Sequence, residues 1–444
     1  MVRYLKYIAI IIFCFPFLSF AQGFKLEKGE KFQKVKFELI NNLMIIPVEV
    51  NGAKLSFLLD TGVSTPILFN LSDQDSIQIN NVTEIAIKGL GEGTPMKGLS
   101  SVGNTLKINS IVNRSQKLYV VLDKDINFSP TLGVPVHGII GYDLFKDFVV
   151  EINYGSKIIK FHDPRTYRSR LSKNQEKLPL IIKDKKAYVD GMVYMGSGLE
   201  IPVRLLVDTG SSDAIWLFVD EEKGLGIPEK HYDDYLGKGL SGNIFGKRTM
   251  VDGFRLGSNS LKGPKTAFPD MESFNSIKNL GERNGSLGGE ILKRFNIVFN
   301  YSENEIIIKR NGNFKAPFNY NLSGIELMHD GMRYIAEKLT DARGIVKSDE
   351  KSFGNVQLLM EGRTRLSLVP EIVVSSIRAG SPAHEAGLLE GDLILTVNGK
   401  SVHQYKLQEV LQMLNEREGK RVKLVIERYN KDLLFSFVLK KVFK

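Results

Sequence analysis

Phe57-Leu-Leu-Asp-Thr-Gly-Val-Ser-Thr-Pro-Ile-Leu-Phe69 is the stretch from which the rest of the chain is read. Strand-forming apolar residues deliver one carboxylate, Asp60, to a turn at Thr61-Gly62, and a second apolar run leads away. An ionised Asp buried at the end of such a strand is costly unless hydrogen bonds or a shared proton compensate. That predicts a partner group, and Leu205-Leu-Val-Asp-Thr-Gly-Ser-Ser-Asp-Ala-Ile-Trp-Leu-Phe218 repeats the pattern around Asp208.

The repeat runs beyond the turn. Lys88-Gly-Leu-Gly-Glu-Gly93 follows Asp60 at nearly the same offset as Lys238-Gly-Leu-Ser-Gly-Asn243 follows Asp208. Both read as glycine-rich hairpin tips. Gly138-Ile-Ile-Gly-Tyr-Asp-Leu-Phe-Lys-Asp-Phe148 then aligns without a gap on Gly285-Ser-Leu-Gly-Gly-Glu-Ile-Leu-Lys-Arg-Phe295. The spacing from Asp60 to Gly141 matches that from Asp208 to Gly288 to within one position. A lone Asp-Thr-Gly is an ordinary turn, whereas two copies with matched strands, tips and apolar-apolar-Gly partners point to two carboxylates sharing one site.

In these three motifs the chain resembles the aspartic proteases, with both halves of a pepsin-like or fused retropepsin-like enzyme between about residues 36 and 310. The resemblance implies a mainly β, bilobal acid-protease fold of two homologous β-barrel-like lobes. It implies Asp60 and Asp208 as the catalytic pair, with Thr61, Gly62, Thr209, Gly210 and Ser211 supporting them. Gly89, Leu90, Gly91, Gly239 and Leu240 would belong to flaps. Ser211 has Val63 as its counterpart in the first half, so a Ser211 hydroxyl on Asp208 makes Asp208 the carboxyl more easily kept ionised. Neither tip contains the tyrosine of pepsin-like flaps.

The remaining composition narrows the chemistry. At 444 residues with 43% hydrophobic content the chain suits two or three globular domains. Arg3 and Lys6, an apolar stretch from Ile8 to Phe20, and Ala21 before Gln22 read as a signal peptide over 1–21. Its removal leaves no stable membrane span and predicts an exported protein, periplasmic or secreted, in a bacterium. Cys14 is the only cysteine and lies in that segment, so disulfides, thiol catalysis and cysteine metal sites are excluded from the mature chain. The six histidines show no ligand spacing, so no metal and no cofactor is expected. The net charge of +10 is dispersed and no nucleic-acid motif accompanies it.

Along the chain, Ile45–Val50, Asn51-Gly52 and Ala53–Leu59 form a hairpin signature, since Asn-Gly fits a type I′ turn. Regular short strands and few helical periods argue an all-β body, with one short helix per lobe near Tyr142–Phe148 and Glu290–Phe295. The lobes are placed at 22–165 and 166–314, joined by the polar stretch 163–177. In 315–444, Ser381-Pro-Ala-His-Glu-Ala-Gly387 and Gly391-Asp-Leu-Ile-Leu-Thr-Val-Asn-Gly399 resemble an α+β PDZ domain. By that resemblance Gly324, Ile325, Glu326 and Leu327 form the loop holding a peptide carboxylate, and the peptide adds as a strand. The interval from Leu327 to Glu371 is longer than a compact PDZ domain needs.

Three functions remain open on these residues. One is an exported aspartic endopeptidase acting on protein or peptide substrates, whose PDZ groove binds substrate or partner peptides. Another is a catalytically inactive protease fold kept as a peptide-holding scaffold with a PDZ domain. The third is a PDZ adaptor in which the lobes are dispensable.

Overall fold

The computed structural model describes residues 23–71, 77–91, 93, 95–169, 171–196, 198–274, 280–339, 345–346, 358–359 and 363–443. The signal-peptide expectation for 1–21 lies outside them, as does the junction Ala21-Gln22. Two compact units result, one formed by 1–127 with 136–318 and the other by 128–135 with 319–444.

In the first unit each half builds the same sheet core. Leu43–Val50 and Ala53–Leu59 form a hairpin whose Asn51 and Gly52 both take positive φ, 48° and 95°, as the Asn-Gly pair predicts. Ala53–Leu59 is then flanked by the parallel strand Gly138–Ile140, which in turn pairs antiparallel with Ile67–Leu68. The second half repeats this: Lys186–Met195 pairs with Leu199–Val207, then Gly285–Leu287 runs parallel, and Ile215–Leu217 runs antiparallel to that. A parallel neighbour at this place means the chain returns to the Asp-bearing strand after a long excursion, which is why the Gly motif lies so far downstream of each Asp.

Among the described residues a separate six-stranded sheet takes three strands from each half. Its centre is the antiparallel pair Val149–Asn153 and Phe295–Asn300, with Val150 opposite Phe299. Phe145 of the first half meets Phe299 edge-on and stacks on Tyr301, so one hydrophobic cluster continues through both halves. The short helices are Tyr142–Asp147 and Gly289–Leu292. The first unit extends to Phe318 because buried Arg294 holds the connecting backbone. Its guanidinium donates to the carbonyls of Asn313, Phe314, Ala316 and Pro317 and lies 3.8 Å from the Phe318 ring centroid.

The second unit has its own core around Ile325, Ile372, Val397, Val410 and Leu424. Its strands run in the order Ile325–Leu339, Arg363–Ile377, Leu393–Val397, Arg421–Arg428, Lys431–Val438, all antiparallel. Helices Pro382–Glu385 and Leu407–Met413 complete it, the first capped by Ser381 Oγ, which accepts from His384 N. The long interval after Leu327 goes into an extended hairpin: Ile325–Leu339 and Arg363–Ile377 pair from Ile325–Ile377 out to Leu339–Arg363.

Candidate active site

Asp60 and Asp208 follow directly on equivalent strands, and each turn is closed by its own side chain. Asp60 Oδ1 accepts from Gly62 N at 2.6 Å, and Asp208 Oδ1 accepts from Gly210 N at 3.0 Å. Behind them the backbone is fixed by the parallel strands, Asp60 N donating to Ile140 O at 2.8 Å and Asp208 N to Leu287 O at 2.9 Å. The glycine ending each apolar-apolar-Gly motif is there because nothing larger fits: a Cβ on Gly141 would stand 1.7 Å from Asp60 O, and one on Gly288 2.3 Å from Asp213 O.

The two turns are cross-linked by their threonines, both buried. Thr61 Oγ1 donates to Val207 O at 2.6 Å and accepts from Thr209 N at 3.1 Å. Thr209 Oγ1 donates to Leu59 O at 2.8 Å and accepts from Thr61 N at 3.0 Å. This reciprocal set of bonds brings Asp60 and Asp208 into hydrogen-bonding contact across the halves. Gly210 lies against the opposite carboxyl, since a Cβ there would be 2.3 Å from Asp60 Cγ.

Burial pushes both carboxyls up. For Asp60 the nearby Asp208 charge adds to burial, and its pKa rises to about 8. For Asp208 the Arg283 guanidinium, the Gly210 N–H and the Lys186 ammonium oppose the rise, and the hydrogen bond between the carboxyls lowers Asp208 while raising Asp60. The backbone N–H and Lys186 act on both carboxyls, whereas Arg283 acts on Asp208, so Asp208 is the carboxyl held lower and Asp60 the one pushed up. The cause differs from the one expected from the sequence. Ser211 N closes the turn on Asp208 O at 3.4 Å, and its Oγ would stand 3.0 Å from a Cβ on Gly288.

Arg283 and Lys186 are the site residues that the sequence reading missed. Arg283 is buried, donates Nε to Gly285 O at 3.0 Å and Nη2 to Ser286 Oγ at 2.6 Å, and lies over the rings of Phe218 and Phe274. Trp216 packs edge-on against Phe274 and donates to Asp213 Oδ2 at 2.7 Å. Asp213 is buried, but Arg248 and Lys265 outweigh that burial and hold it well below the usual carboxylate range.

The glycine-rich tips meet each other. Gly89 N donates to Ser241 Oγ at 2.8 Å, Ser241 N to Leu90 O at 2.8 Å, and Gly93 N to Ser241 O at 2.6 Å. A Cβ on Gly91 would stand 2.6 Å from Gly242 N, and one on Gly239 2.1 Å from Leu90 O. The glycines at Gly89, Gly91 and Gly239 thus permit two backbones to interlock, while Leu90 packs on the cluster around Trp216 and Phe274. Leu240 comes against Gly89 from the other tip. Ser241, not singled out from the sequence, is the residue that joins them.

Residues 46–144 and 189–291 match the family described as aspartyl protease, and residues 373–428 match the PDZ domain. The aspartyl protease match takes in both Asp-Thr-Gly turns and both apolar-apolar-Gly motifs, and the PDZ match follows it. The chain is also similar to the aspartic proteinase from Irpex lacteus, with 13% identity and a TM-score of 0.41 over 64% of this chain and 99% of that one. A 57-residue stretch is 39% identical to Rho GTPase-activating protein 21-B of Xenopus laevis, covering 13% of this chain and 3% of that protein. A 58-residue stretch is 40% identical to the carboxy-terminal processing protease CtpA of Bacillus subtilis (strain 168), covering 13% of this chain and 12% of that protein. The chain therefore spans only a small part of those curated relatives.

In the PDZ unit Gly324 takes φ 80°, and a Cβ there would collide with Ser381 Cβ at 2.1 Å. Gly324 N donates to Asn321 Oδ1, and Ile325 and Leu327 are buried in the core while Glu326 stays exposed. Among the described residues no cluster of His, Cys, Asp and Glu suited to a metal ion is found, and no helix is long and apolar enough to cross a membrane.

Proposed function

We propose that this protein is an exported aspartic endopeptidase in which Asp60 and Asp208 activate a water for attack on a peptide carbonyl. The observation that carries the reading is the pair of half-buried carboxyls, Asp60 and Asp208, brought together across the halves by the reciprocal threonine bonds. Asp208, lowered by Arg283 and by the Asp60 proton, is the base that takes a proton from the water. Asp60 donates its proton to the developing oxyanion; as the resulting diol collapses, the proton gained by Asp208 passes to the leaving amine and a diol hydroxyl returns a proton to Asp60. No covalent intermediate forms. The interlocked tips, with Ser241 between Gly89 and Leu90, serve as a joint flap that must part to admit an extended chain. The PDZ domain supplies a groove for substrate or partner peptides.

Cleavage of an unfolded protein by the purified chain, blocked by a statine-containing peptide, tests this reading. Asp60→Asn and Asp208→Asn should each abolish cleavage, a loss on the order of 10⁴-fold or more, while circular dichroism stays unchanged. Cleavage retained in either variant eliminates the dyad mechanism, and its absence from the wild type leaves the inactive scaffold as the function.

A further inference from the structure

The C-terminal compact unit includes a segment that the sequence places inside the first lobe, Phe128-Ser-Pro-Thr-Leu-Gly-Val-Pro135. Ser129–Leu132 makes one helical turn with Pro130 in it, and Gly133 ends the turn at φ 67°, donating its N–H to Ser129 O at 2.8 Å. The end of this turn lies between the strand Ile325–Leu339 and the helix Leu407–Met413. Gln408 Nε2 donates to Leu132 O at 2.6 Å, and a Cβ on Gly133 would stand 2.8 Å from Leu407 Cβ and 3.5 Å from His329 Cε1. Leu132 is buried there, only 7% exposed.

An extended peptide added to the edge of this sheet would enter that gap. Ile325–Leu339 follows directly on Gly324 and is the outermost strand of its sheet among the described residues, so its outer edge is the one a ligand strand would use. The segment does not add as a strand. It fills the gap with a helical turn, a buried leucine side chain and a carbonyl satisfied by Gln408. Shortly after Pro135 the chain enters Gly138–Ile140, whose Ile140 O accepts from Asp60 N. His137 is fixed on the way, its N–H donating to Ser56 O and its Nδ1 accepting from Ser56 N.

We propose that Phe128–Pro135 is an internal ligand of the PDZ groove, which an extended peptide with a free C-terminal carboxylate must displace. The inference rests on the groove being a peptide site and does not require the dyad to be active. A ligand tethered on the same chain acts at roughly mM effective concentration. Against an intrinsic affinity of about 100 μM for the segment, that masks the groove about tenfold.

The test titrates two fluorescein-labelled peptides into the full chain, one with the sequence of residues 126–137 and one of unrelated sequence ending in a free valine carboxylate. The same titrations are made with Gly133→Val, which forces a side chain against Leu407, and with Leu132→Asp. Both variants should bind the peptides about tenfold more tightly than the wild type. Folded variants that bind no more tightly overturn the internal ligand, and failure of both peptides to bind any form overturns the groove reading as well. Should the variants not fold, hydrogen exchange on the wild type decides: the Leu132 and Gly133 amides must exchange faster when excess valine peptide is added, and unchanged protection overturns the proposal.

Discussion

Replacing Thr61 with valine keeps the volume of the side chain and removes its hydroxyl, which makes it the sharpest probe of the link between the two halves. Thr61 Oγ1 donates to Val207 O at 2.6 Å and accepts from Thr209 N at 3.1 Å, and the residue is fully buried. Valine leaves both backbone groups without this partner, away from water. At ~1–3 kcal/mol for each buried group left unpaired, the substitution should destabilise the lobes by about 2–6 kcal/mol. Trp216 is the only tryptophan and sits buried in the second half, so its fluorescence reports the unfolding of the lobes in urea. The expected result is a lower midpoint at unchanged slope. Thr209→Val should cost a similar amount, since its bonds mirror those of Thr61, and the double variant should lose less than the sum because the two hydroxyls share one network. A loss under ~0.5 kcal/mol in the single variants would refute the claim that the reciprocal bonds hold the dyad together.

Three further outcomes follow from the same geometry. Cleavage should be bell-shaped in pH, with an alkaline limb near pH 8 where Asp60 gives up its proton, higher than an acid-protease likeness alone suggests; kcat/KM measured across pH 3 to 10 checks it. Stability should fall as pH rises from about 4 to about 8, because the folded pKa of Asp60 is raised above the ordinary 3.8 and the stabilisation present below that value is lost through the folded one; Asp60→Asn should flatten the fall in urea titrations. Arg283→Met removes the cation that lowers Asp208 and should move the acidic limb of kcat/KM upward in pH, while an unmoved limb would show that the guanidinium serves packing against Phe218 and Phe274 alone.

The sequence by itself determined the repeated frame of the lobes, because what makes it is local. The Asp60 and Asp208 turns are closed by bonds to their own Gly62 and Gly210, and the hairpin at Asn51-Gly52 needs only its own φ values. The PDZ core was legible for the same reason, in the capped turn at Ser381 and the strand Leu393–Val397. Only the tertiary structure decided which carboxyl is held lower. Arg283, which acts on Asp208, lies far beyond it in the chain, and that separation forms no pattern with the Asp-Thr-Gly turn. Likewise Ser241 reaches Leu90 and Gln408 reaches Leu132 only after separate sheets have formed, since a hydrogen bond between distant residues depends on packing and leaves no periodic mark in the chain.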